Sequence, residues 1–311
     1  MRLVFFGTPP FAVASLAHLV EHGYPPVAVV TAPDKPAGRG RKLHPPAVKQ
    51  YAEAQGLPVL QPPNLKAGDF QQRLKSYAAD LFVVVAFRML PESVWAMPPK
   101  GTFNLHASLL PNYRGAAPIQ WAIINGERET GVSTFLLKHQ IDTGDLLLQS
   151  RTEIGYDETA GALYERLQQM GAELVVETVR GLEAGDIEPR PQPPGSAHKT
   201  APKIDRALGR VDWHQSAEAI HNRIRGLNPQ PGAFTYFEGR LVKLWRAWPH
   251  SLHETAVRPP GTFWWDRERR LFTACGSGLL ELRRLQPEGK KPMDAAAIFN
   301  GRLLPESGQW G

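Results

Sequence analysis

The chain opens on a short apolar run, Leu3-Val4-Phe5-Phe6, that stops at Gly7-Thr8-Pro9-Pro10. Phe11 to His22 then carries Val13, Leu16, Leu19 and Val20 at helical spacing, and Val27-Ala28-Val29-Val30 is again uninterrupted. An unbroken apolar run bounded by turn residues predicts a strand buried on both faces, and the 3.6-residue period between two such runs predicts a helix. The alternation repeats with Gln71 to Ala79 and Leu81-Phe82-Val83-Val84-Val85-Ala86. Strands and helices in this order predict an α/β fold, a Rossmann-like, mostly parallel sheet covered by helices on both faces.

After Glu188 the pattern changes. Pro189-Arg190-Pro191-Gln192-Pro193-Pro194-Gly195 and the stretch through Pro202 read as a linker, because proline punctuates rather than folds. Ser216 to Arg225 predicts an amphipathic helix. Five short β-like runs follow, at residues 233–237, 241–245, 262–265, 271–274 and 279–285. Short strands separated by glycine and proline predict a small barrel. The expected organisation is an α/β domain over residues 1–189, a Pro-rich linker over 190–208 and a smaller β-domain over 209–311.

Composition narrows the function classes. Hydrophobic residues make up 42% and charged residues 21% of the 311 positions, which excludes wholesale disorder. The longest apolar run, Leu81 to Phe87, is far short of the roughly 20 residues that span a bilayer. No apolar segment of export length follows Met1, and a lone Cys275 excludes internal disulfides and Cys-based zinc sites; both features predict a reducing cytoplasm. The net charge of +6 is unevenly placed: residues 1–198 sum to −1 and residues 199–311 to +7, and six of the eight tryptophans lie in the second segment. A basic, aromatic module beside a near-neutral one suggests a polyanionic partner, although a solvated Arg-rich face around core tryptophans accounts for the same counts.

The candidate chemistry is concentrated in Gly101-Thr102-Phe103-Asn104-Leu105-His106-Ala107-Ser108. In a strand, Thr102, Asn104 and His106 share one face, so an amide and an imidazole stand side by side at the end of a buried sheet, where α/β proteins place ligands. A further predicted strand, Gly131 to Leu137, ends in a loop that brings Asp142 and Asp145 to the same sheet edge. Asparagine can stabilise an oxyanion, histidine can move a proton near neutral pH, and a carboxylate can orient that histidine. No serine or cysteine nucleophile accompanies them, which favours direct acyl transfer between two bound substrates; a satisfied structural pair at a strand end remains the competing account. Neither Gly-x-Gly-x-x-Gly nor Gly-x-x-x-x-Gly-Lys-[Ser/Thr] occurs, which argues against nicotinamide and ATP chemistry. His139-x-x-Asp142 has metal-pair spacing without an evident third ligand.

The segment Phe103 to Ile119, with Glu129-Thr130-Gly131-Val132 and Ile141-Asp142-Thr143-Gly144-Asp145, resembles the folate-dependent formyltransferase family. Phe6-Gly7-Thr8-Pro9, the loop Pro33 to Leu43, and Lys290-Lys291-Pro292-Met293 extend the resemblance over nearly the whole chain. It implies an enzyme with Asn104, His106 and Asp142 as catalytic trio, and with Ser108, Leu109, Leu110 and Pro111 against the donor, 10-formyltetrahydrofolate. It further implies the α-amino group of initiator methionyl-tRNA as acceptor, met by Arg39, Arg41, Lys42 and Lys203, and an OB-like C-terminal barrel. It implies no metal, no membrane and no stable protein partner. Two departures stand out. Ala86-Phe87-Arg88 replaces the family's usual Ala-Tyr-Gly beside the folate pocket, and Lys138-His139-Gln140 replaces a commoner acidic, glycine-containing sequence, leaving His139 either pocket lining or surface. The alternatives are a formyltransferase acting on an amino sugar nucleotide with the same trio, a hydrolase that releases formate, and a non-catalytic RNA-binding protein on the enzyme fold.

Overall fold

A computed structural model of the chain describes residues 1–37, 42–193, 199–250 and 258–311. The first elements are β1 (Leu3–Gly7), α1 (Pro10–Glu21), β2 (Ala28–Val30), β3 (Lys35–Ala37), β4 (Lys42–His44), α2 (Ala47–Ala54), β5 (Val59–Leu60) and α3 (Gly68–Ser76). They are followed by β6 (Leu81–Val85), α4 (Glu92–Trp95), β7 (Thr102–His106), β8 (Arg114–Gly115), α5 (Pro118–Ile124), β9 (Glu129–Leu136), β10 (Leu146–Glu153) and α6 (Ala160–Ala184). The remainder comprises β11 (Thr200–Ala201), α7 (Ala217–Gly226), β12 (Ala233–Phe237), β13 (Arg240–His250), β14 (Thr262–Trp265), β15 (Leu271–Ala274), β16 (Leu279–Pro287), β17 (Met293–Asp294), α8 (Ala295–Asn300) and β18 (Ser307–Gln309).

Two units emerge. The first takes Met1–Gly115, Glu129–Thr152 and Tyr164–Thr200; the second takes Ala116–Arg128, Glu153–Leu163 and Ala201–Gly311. Residues 190–193 and 199–200, from the stretch read as linker, therefore belong to the first unit, and α5 belongs to the second.

The first unit is a Rossmann-like α/β sheet of order β10-β9-β7-β6-β1-β2-β5. β1 pairs in parallel with β2 and β6, β2 with β5 and β6 with β7, whereas β9 runs antiparallel to β7. All five residues of β1 and of β6 are buried, as expected of strands covered on both faces. Val4 and Phe6 pack with Val30, Phe70, Leu74, Phe82 and Val84 on one face. The chain leaves β1 toward β2 and β5, then crosses back to β6 and β7. That reversal puts a topological switch point between β1 and β6, with a crevice outside the carboxyl ends of the strands. Gly7, at the end of β1, is required there: a Cβ would stand 2.7 Å from that of Ala12 and 3.2 Å from the Val85 carbonyl oxygen.

The second unit curls six antiparallel strands, in the order β12-β13-β16-β15-β14-β18, into a half-barrel, with β17 paired to β16. Between its two edges, the Gly311 N–H donates to the Tyr236 carbonyl at 2.8 Å and the Thr235 hydroxyl donates to the Gly311 carbonyl at 3.2 Å. Ser216 caps α7 by accepting from the Ala219 N–H at 3.1 Å. Gly226 lets α7 lie close to α5, since a Cβ there would stand 2.7 Å from Ile124 Cγ1. The tryptophans divide between the two roles their sequence allowed. Trp213 and Trp310 are core, with indole N–H groups satisfied by Thr235 and Thr273, while Trp264 and Trp248 lie under the Arg258 and Arg283 guanidinium groups at 4.4 and 4.9 Å.

Cys275 belongs to this core, and burial pushes its thiol up to about 12. Unfolding frees a thiol that ionises near its usual value, so the contribution is intact below that value and is lost as pH rises toward about 12. The native protein is expected to leave Ellman's reagent unreacted at about pH 8 and to release one equivalent once unfolded in guanidinium. Rapid native reaction would contradict the placement.

Candidate active site

The site grows from the end of β7. Alternation puts Phe103 and Leu105 in the core, and the Thr102 hydroxyl donates to the Trp95 carbonyl at 2.6 Å, pinning the strand's start. Asn104 is half-buried, and its carboxamide has no hydrogen-bond partner among the described residues. His106 is 6% exposed and bonded. Its Nε2 lies 2.8 Å from the Tyr113 carbonyl oxygen, and because a carbonyl can only accept, Nε2 carries the proton. The lone pair of a neutral ring is then on Nδ1, which faces Asp142 Oδ2 at 3.9 Å. That is beyond hydrogen-bond range. The Tyr113 carbonyl, rather than Asp142, is thus the group that orients the ring. Asp142 Oδ2 is itself fixed by the Gly115 N–H at 2.9 Å.

The backbone around His106 is bent to this purpose. Seven described non-glycine residues have positive φ, and three of them follow β6, β7 and β9: Ala86 at 48°, Tyr113 at 61° and Asp142 at 56°. Each such residue costs on the order of 1–3 kcal/mol, and clusters of them mark functional sites. Here the bends aim the Tyr113 carbonyl at one ring nitrogen and bring the Asp142 carboxylate to the other. The Asp142 loop is tight: the Leu136 N–H donates to the Asp145 carbonyl at 2.9 Å, and Lys138 pairs with Asp145 at 2.7 Å.

The segment from Ser108 to Pro111 is held mostly by its own unit. Ser108 is fully buried, its hydroxyl donating to the Asn112 carbonyl at 2.7 Å and its carbonyl accepting from Ser133 at 2.6 Å. The Leu110 N–H donates to Ser133 Oγ at 3.1 Å, and its carbonyl accepts from Gln149 at 3.0 Å. Of the four residues, Leu109 and Pro111 keep part of their surface open. In the departing loop after β6, Phe87 packs edge-on against Phe6 at 5.7 Å, and the Arg88 guanidinium donates to the carbonyls of Pro62 and Pro63. His139 is a surface residue, 3.2 Å from Glu92 and edge-on to Trp95. Among the described residues no three His, Cys, Asp or Glu side chains converge as a metal group would require.

Arg39 and Arg41 lie outside the described residues, as does the side chain of Lys42; the backbone of Lys42 begins β4, paired with β3. At the base of that hairpin Asp34 accepts from Gln61 at 2.7 Å and from Lys49 at 2.8 Å, which hold its carboxyl below the usual range. Lys203 is exposed. A cavity of about 540 Å³ in the second unit is lined by Arg225, Arg246, Arg284, His221, Asn228 and Trp245 among others. It contains none of the trio. Arg246 is paired there with Asp157 at 2.7 Å, and Arg225 is buried while donating to the carbonyls of Gly155 and Glu158. No described helix is long and apolar enough to cross a membrane.

Two family descriptions match the chain: Formyl transferase over residues 1–179, and Formyl transferase, C-terminal domain, over residues 203–303. A methionyl-tRNA formyltransferase of Porphyromonas gingivalis is 48% identical over 315 residues, covering 98% of this chain and 96% of the relative. Those of Bacteroides fragilis and Solibacter usitatus are 44% and 45% identical, covering 99% and 100% of this chain and 97% and 99% of the relatives. An N-formyltransferase from Helicobacter canadensis, solved with folinic acid and dTDP-3-aminofucose, superposes with a TM-score of 0.67 at 19% identity over 91% of this chain and 99% of its own. HypX from Aquifex aeolicus, solved with tetrahydrofolic acid, gives 0.63 at 21% identity over 97% of this chain and 47% of its own.

Proposed function

The chain belongs to the formyl transferase family, and from that premise we propose that it moves the formyl group of 10-formyltetrahydrofolate onto the α-amino group of initiator methionyl-tRNA. The observation that carries the acceptor is the 44–48% identity along nearly the full chain with proteins of that name, against 17–21% for the sugar and HypX structures. The +7 charge of residues 199–311 suits a polyphosphate acceptor.

In this reading Asn104 and His106 divide the work. A free α-amine has a pKa of about 7.7–8.0, so much of it is protonated near neutrality and cannot attack. The fraction present as neutral amine attacks, and as its nitrogen bonds to the formyl carbon one N–H proton passes to the lone pair on His106 Nδ1. The carbonyl oxygen gains negative charge, and the Asn104 amide donates to it; such a donor is typically worth about 10²–10³ in turnover. The bond from the formyl carbon to the folate nitrogen then breaks, and the proton on Nδ1 goes to that leaving nitrogen. Asp142 lies opposite Nδ1 and favours the imidazolium while it exists. Leu109 and Pro111 supply apolar surface to the donor, and Arg39, Arg41, Lys42 and Lys203 meet the phosphate backbone.

The test is competition between acceptors. With 10-formyltetrahydrofolate as donor, methionyl-tRNA is expected to be formylated with binding that weakens steeply with salt, and a dTDP-amino sugar is expected to be left unmodified. Preferential formylation of the sugar nucleotide, or formate release without an acceptor, would overturn the proposal.

A further inference from the structure

Gln192 lies between Pro191 and Pro193, in a stretch whose composition reads as linker, yet its side chain is one of the most heavily used in the first unit. The Nε2 donates to the Asp142 carbonyl at 2.8 Å and to the Gly144 carbonyl at 2.8 Å. The Oε1 accepts from Arg114 Nε at 3.1 Å and Nη2 at 2.5 Å. Two donors and two acceptor lone pairs are all that a carboxamide has. Every one is spent on the two segments that flank His106. Upstream, Arg190 exchanges two backbone hydrogen bonds with Leu146, at 2.7 and 2.9 Å, which docks the segment beside β10. The flanking prolines restrict the chain before it folds, so ordering Gln192 costs less entropy than in a flexible tether.

We propose that Gln192 is a positioning residue for formyl transfer: its carboxamide ties the Asp142–Gly144 loop to Arg114 and so sets the carboxylate opposite His106. The inference rests on the formyltransferase reading. Asp142 holds a left-handed backbone, with φ 56°, and its peptide carbonyl is one of the two that Gln192 fixes. On the other side, Arg114 lies between Tyr113, whose carbonyl orients the imidazole, and Gly115, whose N–H holds the Asp142 carboxylate. Without the amide, only the bond from Gly115 to Asp142 Oδ2 would remain of these ties between the loops. A glutamate at this position would still accept from Arg114 but would turn acceptor oxygens toward two carbonyls.

Gln192→Ala and Gln192→Glu are each expected to lower kcat by about 10- to 100-fold, the scale of a misplacement of about 1 Å, with the KM for donor and acceptor within about threefold of wild type. Because Gln192 acts through Asp142, Gln192→Ala is expected to cost less than about twofold when added to Asp142→Ala. Losses that multiply in the double variant, or a kcat within about twofold of wild type in both single variants, would overturn the proposal. Failure of both single variants to fold would assign Gln192 to stability alone and overturn it equally. Wild-type protein without formyl transfer would instead defeat the underlying reading, so the two failures are distinguishable.

Discussion

Replacement of His106 by glutamine is expected to lower the rate of formyl transfer by about 10²–10⁴-fold while leaving the domain folded. The two ring nitrogens have separable duties. Nε2 donates to the buried Tyr113 carbonyl, and Nδ1 faces Asp142 and is free to take the proton of the attacking amine. Alanine would remove both functions, including the buried hydrogen bond from Nε2 to the Tyr113 carbonyl, a loss of about 1–3 kcal/mol. Glutamine keeps an N–H donor of similar reach but has no ring nitrogen lone pair to accept the proton of the amine. Turnover is therefore expected to fall alike in both variants, whereas the urea midpoint falls in His106→Ala and recovers in His106→Gln. Single-turnover rates on methionyl-tRNA with urea unfolding of the same preparations check both halves. A glutamine variant that keeps more than about a tenth of the turnover would remove His106 from the proton path.

Gly144→Ala is expected to be nearly as damaging, through backbone crowding. A Cβ at this position would stand 1.5 Å from the Leu136 carbonyl oxygen and 2.7 Å from its carbon. Backbone cannot rotate away as a side chain can, so the loop must lift from the end of β9. Lifting strains the bond between Leu136 and Asp145 and the one from Gln192 to the Gly144 carbonyl, and it carries Asp142 with it. Overpacking of this kind costs about 1–3 kcal/mol of stability, and a displacement of about 1 Å at the carboxylate costs on the order of 10² in turnover. Gly68, whose Cβ would meet nothing within 4 Å, is the control: Gly68→Ala should match wild type in both measurements. Wild-type turnover in Gly144→Ala would mean that the loop does not determine where Asp142 points.

Much of the architecture was legible because it follows from burial. Continuous apolar runs such as Leu3–Phe6 and Leu81–Val85 have few alternatives to strands covered on both faces, and the Asn104/His106 pair declared itself as two polar residues on one face of such a strand. Helix α6 was equally readable, since Leu163, Leu167, Leu174, Val175 and Val179 recur at helical spacing, but a reading centred on polar motifs passes over it. Other features leave no compositional trace. The groups that aim His106 and Asp142 are a carbonyl of Tyr113 and an N–H of Gly115, which any residue could supply at the right φ and ψ. Gln192 is 50 residues from Asp142 in a proline cluster, and proline density predicts where a chain turns, not where the side chain between two prolines reaches. Tryptophan counts could not separate core from surface roles because the second unit uses both.

The seclusion of Cys275 bears on how the protein can be instrumented. With the lone native thiol silent, a cysteine introduced at exposed Arg73 in the first unit and another at exposed Arg240 in the second could each carry a fluorophore without background labelling. The emission of each dye would then follow its own unit as charged tRNA is added, in the otherwise unaltered chain.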